Sequence, residues 1–226
     1  MKLFTTKQIA AIDKFTIDNE PIADIDLMER AAMQITNWLV QRFTTERRLL
    51  FFVGPGNNGG DALAISRQMA DFDYQCEVFV MDFGKGLKGS PAINRDRLEQ
   101  QGKVRVNKIN TPEDFPAMQK TDVLLDGLFG SGLSRPLKGL PAAIVHQINE
   151  SPNTVVSIDM PSGLMGEDNS SNIPGNIIQA NFTLTFQFPK LSFLFAENEK
   201  FTGKWEVLPI GLHPGGMEKT PSGFFM

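Results

Sequence analysis

Residues 54–61 read Gly-Pro-Gly-Asn-Asn-Gly-Gly-Asp, which combines four glycines with two asparagine amides and a carboxylate. Glycine permits positive φ and lets a ligand approach the backbone closely. The apolar run at 48–53 before this stretch is typical of a strand, and the run at 61–72 after it is typical of a helix. A loop in this place suits a phosphate, because the helix N-terminus offers unpaired N–H groups and the positive end of its dipole.

Known phosphate-binding loops match this stretch only in part. The Walker pattern requires a Gly-Lys-Ser/Thr ending, which is absent. The dinucleotide pattern G-x-G-x-x-G is present as Gly54, Gly56 and Gly59, and Asp82 follows at a distance that suits a ribose contact. The two asparagines exceed that pattern, and their amides suit a sugar, a base edge or a hard cation. The alternative is a tight turn without a ligand, in which Asp61 caps the helix.

Two further loops follow predicted strands. Residues 126–136, DGLFGSGLSRP, place Asp126 at a strand end, followed by glycines with free N–H groups and the permanent cation of Arg135. Residues 158–163, IDMPSG, place Asp159 after an apolar strand and supply the hydroxyl of Ser162. A partly desolvated carboxylate in such a place is a candidate for proton transfer. The alternatives are a glycine-rich turn with Arg135 on the surface, and Asp159 as a turn residue.

These three loops come together if their strands are parallel, because a parallel sheet brings the carboxyl ends of its strands to one edge. Asn58, Asp126 and Ser162 would then offer an amide oxygen, a carboxylate and a hydroxyl. Such hard oxygen ligands suit an alkali or alkaline-earth ion better than zinc or copper. One formal charge among three ligands favours a monovalent ion.

The apolar periodicity predicts strands and helices that alternate along the chain after two N-terminal helices. The predicted helices are 6–18, 24–43, 61–72, 90–102, 111–118 and 140–151. The predicted strands are 48–53, 76–82, 103–107, 121–129, 154–160, 180–188 and 203–210, with the last two near one edge of the sheet. This alternation predicts an α/β fold whose mostly parallel sheet is covered on both faces.

Composition excludes several classes of protein. The chain has 226 residues, a net charge of −4 and no basic stripe, which argues against nucleic acid as a partner. Its apolar runs are too short to cross a membrane, and its N-terminus does not resemble a secretory signal. A single cysteine, Cys76, precludes an intrachain disulfide and fits a reducing, cytoplasmic location. The two histidines are far apart in sequence, which argues against a zinc site.

The three loops, in this order, resemble the YjeF N-terminal domain family, the NAD(P)H-hydrate epimerases. LMERAA at 27–32 and TFQFPK at 185–190 extend the resemblance, which covers most of residues 1–212. It implies a Rossmann-like three-layer αβα fold and epimerisation of the R and S forms of NADHX and NADPHX, which are NADH and NADPH hydrated at C6 of the nicotinamide. It also implies a bound potassium ion, held by Asn58, Asp126 and Ser162.

The resemblance further implies the residues that contact the hydrated dinucleotide, with Asp159 beside it. These are Asn57, Asn58, Gly59, Gly60, Asp61, Gly130, Ser131, Gly132, Leu133, Ser134, Arg135 and Pro136. Bacterial relatives are often fused to an ADP- or ATP-dependent dehydratase, which acts on the S epimer. The Gly- and Pro-rich tail 213–226 is consistent with a linker to such a domain, after an epimerase domain spanning 1–212. A homodimer is inferred from the resemblance alone.

C6 of the hydrated ring carries a hydroxyl and the ring nitrogen, so it is a carbinolamine. One hypothesis is that the nitrogen expels the protonated hydroxyl and the planar iminium then takes up water on its other face. The other route opens the ring to an aldehyde and closes it again. Either route requires a group that gives and accepts a proton, for which Asp159 is the first candidate. Lys190 is the second, with a solvated surface lysine as the alternative.

Two rival functions are weighed against epimerisation. An NAD-dependent oxidoreductase would use Gly54, Gly56, Gly59 and Asp82, but the single tyrosine, Tyr74, lacks a Tyr-x-x-x-Lys context. A non-catalytic binding or scaffold module would not require Asp159 together with the oxygen ligands. The sequence does not distinguish NADHX from NADPHX as the preferred substrate.

Overall fold

The computed structural model describes residues 2–81 and 86–225, and Asp82 lies outside them. Its described part contains a seven-stranded sheet in which every neighbouring pair of strands is parallel. In chain order the elements are β1 (Lys2–Leu3), α1 (Thr6–Asn19), α2 (Asp24–Arg42), β2 (Leu49–Val53), α3 (Asn57–Asp71), β3 (Cys76–Met81), α4 (Ser90–Gln101), β4 (Arg105–Ile109), β5 (Val123–Gly127), α5 (Leu140–Glu150), β6 (Thr154–Ile158), β7 (Phe182–Phe186), α6 (Glu199–Thr202), β8 (Lys204–Leu208), α7 (Pro214–Lys219) and β9 (Phe224–Phe225). The sheet order β4-β3-β2-β5-β6-β7-β8 confirms the predicted α/β class and the edge position of the last two strands.

Alternate residues of the central strands supply two separate cores, one on each face of the sheet. Phe51 and its neighbours at even spacing pack with residues of α2, α3 and α4. Phe52 and its counterparts pack with α5 on the opposite face. Strands buried on both faces read as continuous apolar runs, which explains why LLFFV contains no polar residue. The three layers αβα follow from this double burial.

The two predicted N-terminal helices are confirmed. A capping box between Thr5 and Gln8 starts α1, and Asp24 and Asp26 place negative charge in the first turn of α2. The buried residues Ile9 and Ile12 of α1 join Leu27 of α2 in a separate apolar cluster beside β7 and β8. The two helices therefore form one side wall above the carboxyl ends of the strands.

Two of the predicted helices differ from those in the structure. The helix predicted at 61–72 begins earlier, at Asn57, so that the asparagine pair belongs to its first turn. Asp61 therefore lies inside α3, and its proposed role as the helix cap is wrong. The helix predicted at 111–118 is reduced to a 3₁₀ turn at Pro112–Asp114, because Pro116 removes a backbone donor at the next turn.

The tail 213–226 folds back onto the N-terminal helices over the part that the structure describes. His213 caps α7, and its N–H donates to Thr16 Oγ1 over 2.9 Å. Gly216 packs closely against Phe15 of α1, where a Cβ would be crowded. The last strand, Phe224–Phe225, pairs with Lys2–Leu3. The tail is thus held against the domain up to residue 225, and its role as a linker to a further domain stays a prediction.

Candidate functional site

The site lies where the strand order reverses. From β2 the chain continues outwards to β3 and β4, and it later returns to β5 on the other side of β2. The loops after β2 and β5 therefore diverge and leave a crevice, the usual ligand position in open parallel sheets. Gly54 lies at the floor of this crevice, where a Cβ would overlap the carbonyl oxygen of Leu128. The close approach of the two loops explains the first glycine of the motif.

The glycine loop delivers a helix N-terminus to the crevice. Gly56 is the N-cap of α3, and no side chain caps the helix there. The first-turn N–H groups are consequently available to an anion. The two following glycines serve packing: a Cβ at Gly59 would overlap the carbonyl of Gly54, and one at Gly60 would press on Met28 and Pro91. Gly59 and Gly60, predicted as substrate contacts, thus hold α3 close to its neighbours.

Asn58 faces the crevice with an unsatisfied amide. Its side chain is buried, yet neither Oδ1 nor Nδ2 has a hydrogen-bond partner among the described residues. Gly130 lies beside it, and a Cβ at Gly130 would crowd this side chain, because it would come within 3.2 Å of Asn58 Cγ. A buried amide without a partner costs about 1–3 kcal/mol. A ligand that binds here would recover this free energy.

Asp126 and Ser162 join the other two loops beneath the crevice. Both side chains are fully buried. The carboxylate of Asp126 accepts hydrogen bonds from Ser157 Oγ (2.8 Å), from the N–H of Ser162 (2.8 Å), from the N–H of Leu128 (3.3 Å) and from Ser162 Oγ. Ser162 Oγ in turn accepts from the N–H of Phe129 over 2.8 Å. Burial raises the pKa of Asp126, and the donors from Ser162 act in the opposite direction.

Asp159 and Lys190 form a buried ion pair at the end of β6. Lys190 Nζ lies 2.7 Å from Asp159 Oδ1 and 2.9 Å from Thr185 Oγ1, and the lysine is only 2% exposed. The alternative of a solvated surface lysine is therefore wrong. Thr185 Oγ1 and the N–H of Phe186 also donate to Asp159 Oδ1, at 3.2 and 3.3 Å. Among the described residues no donor contacts Oδ2, which leaves this oxygen for a ligand.

The backbone at Asp159 is strained. Its φ is +61°, a region that a residue with a Cβ rarely adopts. The donors from Thr185, Phe186 and Lys190 hold the carboxylate in place despite this conformation. Such strain tends to occur at functional sites, where the surrounding structure determines the geometry.

A cleft of about 830 Å³ connects these groups. The loops after β2, β5 and β6 form one wall, and α1 and α2 form the other. The predicted site residues that line it are Asn57, Asn58, Asp61, Gly130, Ser131, Gly132, Leu133, Ser134, Arg135 and Asp159, together with Lys190. Pro136 lines a neighbouring cavity instead. Asp126 and Ser162 lie in the layer below the cleft rather than on its surface.

The helical wall contributes acids that the sequence motifs did not single out. Asp13 of α1 and Asp24 of α2 line the cleft together with Asp61. Burial, the charge of Asp159 and that of Asp24 raise the pKa of Asp13 to about 6, although Lys190 opposes this. Burial and the charges of Asp159, Asp13 and Asp24 raise the pKa of Asp61 well above its usual value. The sequence offered one signal for Asp13, because this acid follows the buried Ile12 in an amphipathic helix.

The predicted cation ligands fit a hard monovalent ion in their chemistry. In the described ranges no group of three or more His, Cys, Asp or Glu side chains could hold a metal ion. The oxygen set is of another kind: the unpartnered Asn58 Oδ1, the carboxylate of Asp126 and Ser162 Oγ, with the carbonyl of Phe129 3.1 Å from that hydroxyl. Neutral oxygens together with one carboxylate are a donor set that suits a weakly charged cation.

Membrane insertion has no support from the helices. Over residues 2–81 and 86–225, none of them combines the length and apolar character that a transmembrane span requires.

The chain resembles known proteins along most of its length. The family described as "YjeF-related protein N-terminus" matches residues 24–192. The NAD(P)H-hydrate epimerase of Lentilactobacillus buchneri is 33% identical over 216 residues, which are 93% of this chain and 95% of that protein. The bifunctional NAD(P)H-hydrate repair enzyme Nnr of Moorella thermoacetica is 30% identical over 218 residues, 94% of this chain. The chain spans only 41% of that relative's length.

A solved structure shows the same fold. The crystal structure of the yeast protein ynu0 superposes with a TM-score of 0.72 and covers 92% of this chain, while 87% of the yeast chain is covered. Sequence identity is 22%, so this likeness concerns the arrangement of strands and helices alone.

Proposed function

Because the chain belongs to the family of YjeF-related protein N-termini, we propose that it epimerises hydrated NADH and NADPH at C6 of the nicotinamide. Relatives named NAD(P)H-hydrate epimerase support this reaction, including one that is matched along 95% of its length. The observation that carries the proposal is the pair of Asp159 and Lys190 in the same cleft as an open helix N-terminus. The pair supplies a proton-transfer group, and the helix end supplies a phosphate site.

The proton-transfer step uses the free oxygen of Asp159. Lys190, Thr185 and the N–H of Phe186 occupy Oδ1, so Oδ2 is the atom that meets the substrate. A proton from Oδ2 passes to the C6 hydroxyl, the ring nitrogen lone pair forms the C=N bond, and the C6–O bond breaks to release water. Water then adds to the opposite face of the planar iminium and returns a proton to the carboxylate. Ring opening to the aldehyde and reclosure would use the same group.

The ion pair balances the charge of this site. Lys190 holds a positive charge at 2.7 Å from Oδ1, so it stabilises the carboxylate each time the proton leaves. The buried position of both side chains excludes bulk water from this interaction and strengthens it. General acid–base groups of this kind contribute about 10²- to 10⁴-fold to a rate.

Binding of the diphosphate falls to the two glycine loops. The first turn of α3 presents N–H groups from Asn57 and Asn58, and the loop after β5 adds Arg135. We assign the potassium site to Asn58, Asp126 and Ser162. A bound monovalent cation would add positive charge beside Asp126, while the chain's own hydrogen bonds already tie together the loops after β5 and β6.

The decisive experiment follows the R/S ratio of purified NADHX and NADPHX epimers by chromatography. The protein should restore the equilibrium ratio from a single epimer. Asp159→Asn should lower kcat by about 10²- to 10⁴-fold with a smaller change in KM, because it removes the proton carrier but keeps the shape. Asp168→Asn, in an exposed loop, is the matched control and should retain activity. Full activity of Asp159→Asn would remove this residue from the mechanism.

Two rival functions lose support from the positions of their residues. The hydroxyl of Tyr74 donates to the carbonyl of Phe43 over 2.6 Å. Tyr74 precedes the amino end of β3 and does not line the cleft at the carboxyl ends of the strands, so it is not placed for hydride chemistry. His146 contacts Asn176 and His213 caps α7, and neither lines the cleft. A scaffold module would give no reason for a strained carboxylate beside a buried lysine.

The remaining partners extend the proposal. A dehydratase, fused or separate, would consume the S epimer. The relatives named bifunctional NAD(P)H-hydrate repair enzyme, which are longer than this chain, support a second activity that works together with this domain. A cytoplasmic location and a homodimer stay predictions from the sequence.

A further inference from the structure

A second cavity of about 840 Å³ opens on the other side of the loop after β5. It lies above the ends of β3 and β4, at the outer part of the sheet. Val80, Val106 and Leu137 contribute apolar surface, and Arg95, Arg135 and Lys138 contribute positive charge. None of the proposed reaction steps uses this space.

This cavity continues the cleft that contains Asp159. Pro55, Phe129, Leu133 and Arg135 line both spaces, so the two cavities meet along the loop after β5. The strand order places the end of β6, the glycine loops of β5 and β2, and the end of β3 in succession. Strands are about 4.8 Å apart, so this path spans roughly 14 Å. A dinucleotide bound in extended form would lie along it.

The two ends of the path carry different side chains, and this difference determines which half of the dinucleotide lies at each end. The reacting ring requires the proton carrier, so it occupies the end at Asp159. The glycine loops and the helix N-terminus take the diphosphate in the middle. The other nucleoside then reaches the second cavity, where apolar side chains suit a purine ring. The cavity is partly open to solvent at Val106, which is 37% exposed on the edge strand.

The charge of this cavity suits a further phosphate. Arg135 and Lys138 are exposed, and no carboxylate of the described residues pairs with either. Arg95 is paired, with Asp96 at 2.7 Å and Glu99 at 3.8 Å. Glu99 also lines the cavity, beside Arg95. Since Arg135 is assigned to the diphosphate, Lys138 is the cation that remains for a 2′-phosphate, a group that a cationic side chain near the ribose accommodates.

We propose that this cavity binds the adenosine half of the hydrated dinucleotide, and that Lys138 favours the 2′-phosphorylated form. The inference rests on the proposed function and adds to it a subsite and a substrate preference. Lys138 acts on binding rather than on chemistry, because it lies beyond the loop that separates it from Asp159.

The first test compares epimerisation of three substrates: hydrated NADPH, hydrated NADH and hydrated nicotinamide mononucleotide in its reduced form. Lys138→Ala should lower kcat/KM for hydrated NADPH by about tenfold, the effect of one charged hydrogen bond. Lys138→Glu should lower it further, because it adds repulsion. Hydrated NADH should change far less, so the preference between the two dinucleotides should fall. Lys204→Ala, at the opposite edge of the sheet, is the matched control.

A second variant tests the cavity itself. Val106→Trp fills the space from an edge strand whose side chain is partly exposed, so the fold should tolerate it. KM should rise for both dinucleotides, while the mononucleotide, which lacks adenosine, should be epimerised at the rate of the unaltered protein. Equal losses for all three substrates, or no loss for any, would overturn the proposed subsite.

Direct binding separates this inference from the proposed reaction. Adenosine 2′,5′-bisphosphate should bind more tightly than adenosine 5′-monophosphate in titration calorimetry, and Lys138→Ala should reduce the difference. This result would stand even if no hydrate were epimerised, which would reject the proposed function alone. Epimerisation with equal binding of the two nucleotides would reject the preference alone.

Discussion

The two walls of the cleft hold their aspartates in opposite conditions. On the strand wall, Asp126 accepts four hydrogen bonds and Asp159 accepts three donors at one oxygen, including the buried Lys190. Opposite them, Asp13 of α1 on the helical wall lines the same cleft, as does Asp61 of α3, and neither forms a hydrogen bond to the described residues. On the strand wall, the hydrogen bonds to these carboxylates hold the loops together and fix the position of the proton carrier, Asp159. Asp13 and Asp61 carry charge that faces the cleft without a partner, and this lowers the free energy of unfolding.

The difference shows how one cleft combines rigidity with reactivity. Removing a partner on the strand wall leaves a buried charge uncompensated, whereas removing a charge on the helical wall relieves desolvation and repulsion. The two walls should therefore respond to neutral substitutions with opposite signs.

The largest effect is expected for Lys190→Met, which removes the cation from the buried pair. Asp159 would keep its donors from Thr185 and Phe186 but lose the charge at 2.7 Å. Loss of one partner of such a pair costs about 3–5 kcal/mol. Urea unfolding should show this decrease in the free energy of unfolding. The double variant Asp159→Asn with Lys190→Met should recover part of it, and no recovery would show that the lysine acts by packing alone.

Asp126→Asn should have the next largest effect. An amide keeps one acceptor oxygen and turns an NH₂ group towards donors such as the N–H of Ser162 and Ser157 Oγ. Unsatisfied buried groups of this kind cost about 1–3 kcal/mol each, so a loss of about 2–3 kcal/mol is expected. If Asp126 is a cation ligand, the parent protein should unfold at different temperatures in potassium and in sodium salts. In this variant the two unfolding temperatures should become equal. Asp122→Asn would serve poorly as control, because it is itself paired with Arg48, and exposed Asp168→Asn is preferable.

Asp13→Asn should stabilise the free protein, which is the opposite sign. The pKa of Asp13 is raised to about 6 from an ordinary 3.8, so folding favours its protonated form. This contribution to stability is full below pH 3.8 and is lost as the pH rises through about 6. Above that range the asparagine variant should exceed the parent by about 1–3 kcal/mol, since one pKa unit corresponds to 1.36 kcal/mol.

The measurement for Asp13 is the free energy of unfolding at pH 4 and pH 8. The difference between variant and parent should grow between these values. Asp18→Asn on the same helix is the control, because its ion pair with Lys14 is exposed and contributes little. A destabilised Asp13→Asn at pH 8 would place Asp13 with the structural carboxylates and remove the contrast between the walls.

Individual residues show how far the sequence alone could predict the site. Asn58, Asp126, Asp159 and Ser162 were identified because they follow apolar runs, and parallel strands bring their carboxyl ends to one edge. Their grouping around the crevice agrees with that reasoning. The same reasoning did not identify Asp13, because an acid inside an amphipathic helix is not part of a loop motif. The sequence left two roles for Lys190, a proton-transfer group and a solvated surface residue, since burial depends on what packs around the side chain.

The packing role of two loop glycines could not be predicted from the sequence. Gly59 and Gly60 are small because α3 packs against Gly54, Met28 and Pro91, a reason that local sequence does not reveal. The tail 213–226 was interpreted as a linker from its glycines and prolines, yet α7 and β9 dock on the first residues of the chain. Contacts between the two ends of a chain leave no local pattern.

The sequence by itself determined the alternation of strands and helices, the parallel sheet and the loops that carry its polar groups. These features follow from apolar periodicity and glycine spacing, which act over a few residues. Only the tertiary structure decided that Lys190 is buried against Asp159, that Asp13 and Asp24 face the cleft from the second wall, and that a second cavity adjoins the cleft. Desolvation and charge coupling depend on distances through space, and the chain reaches those distances only when it has folded.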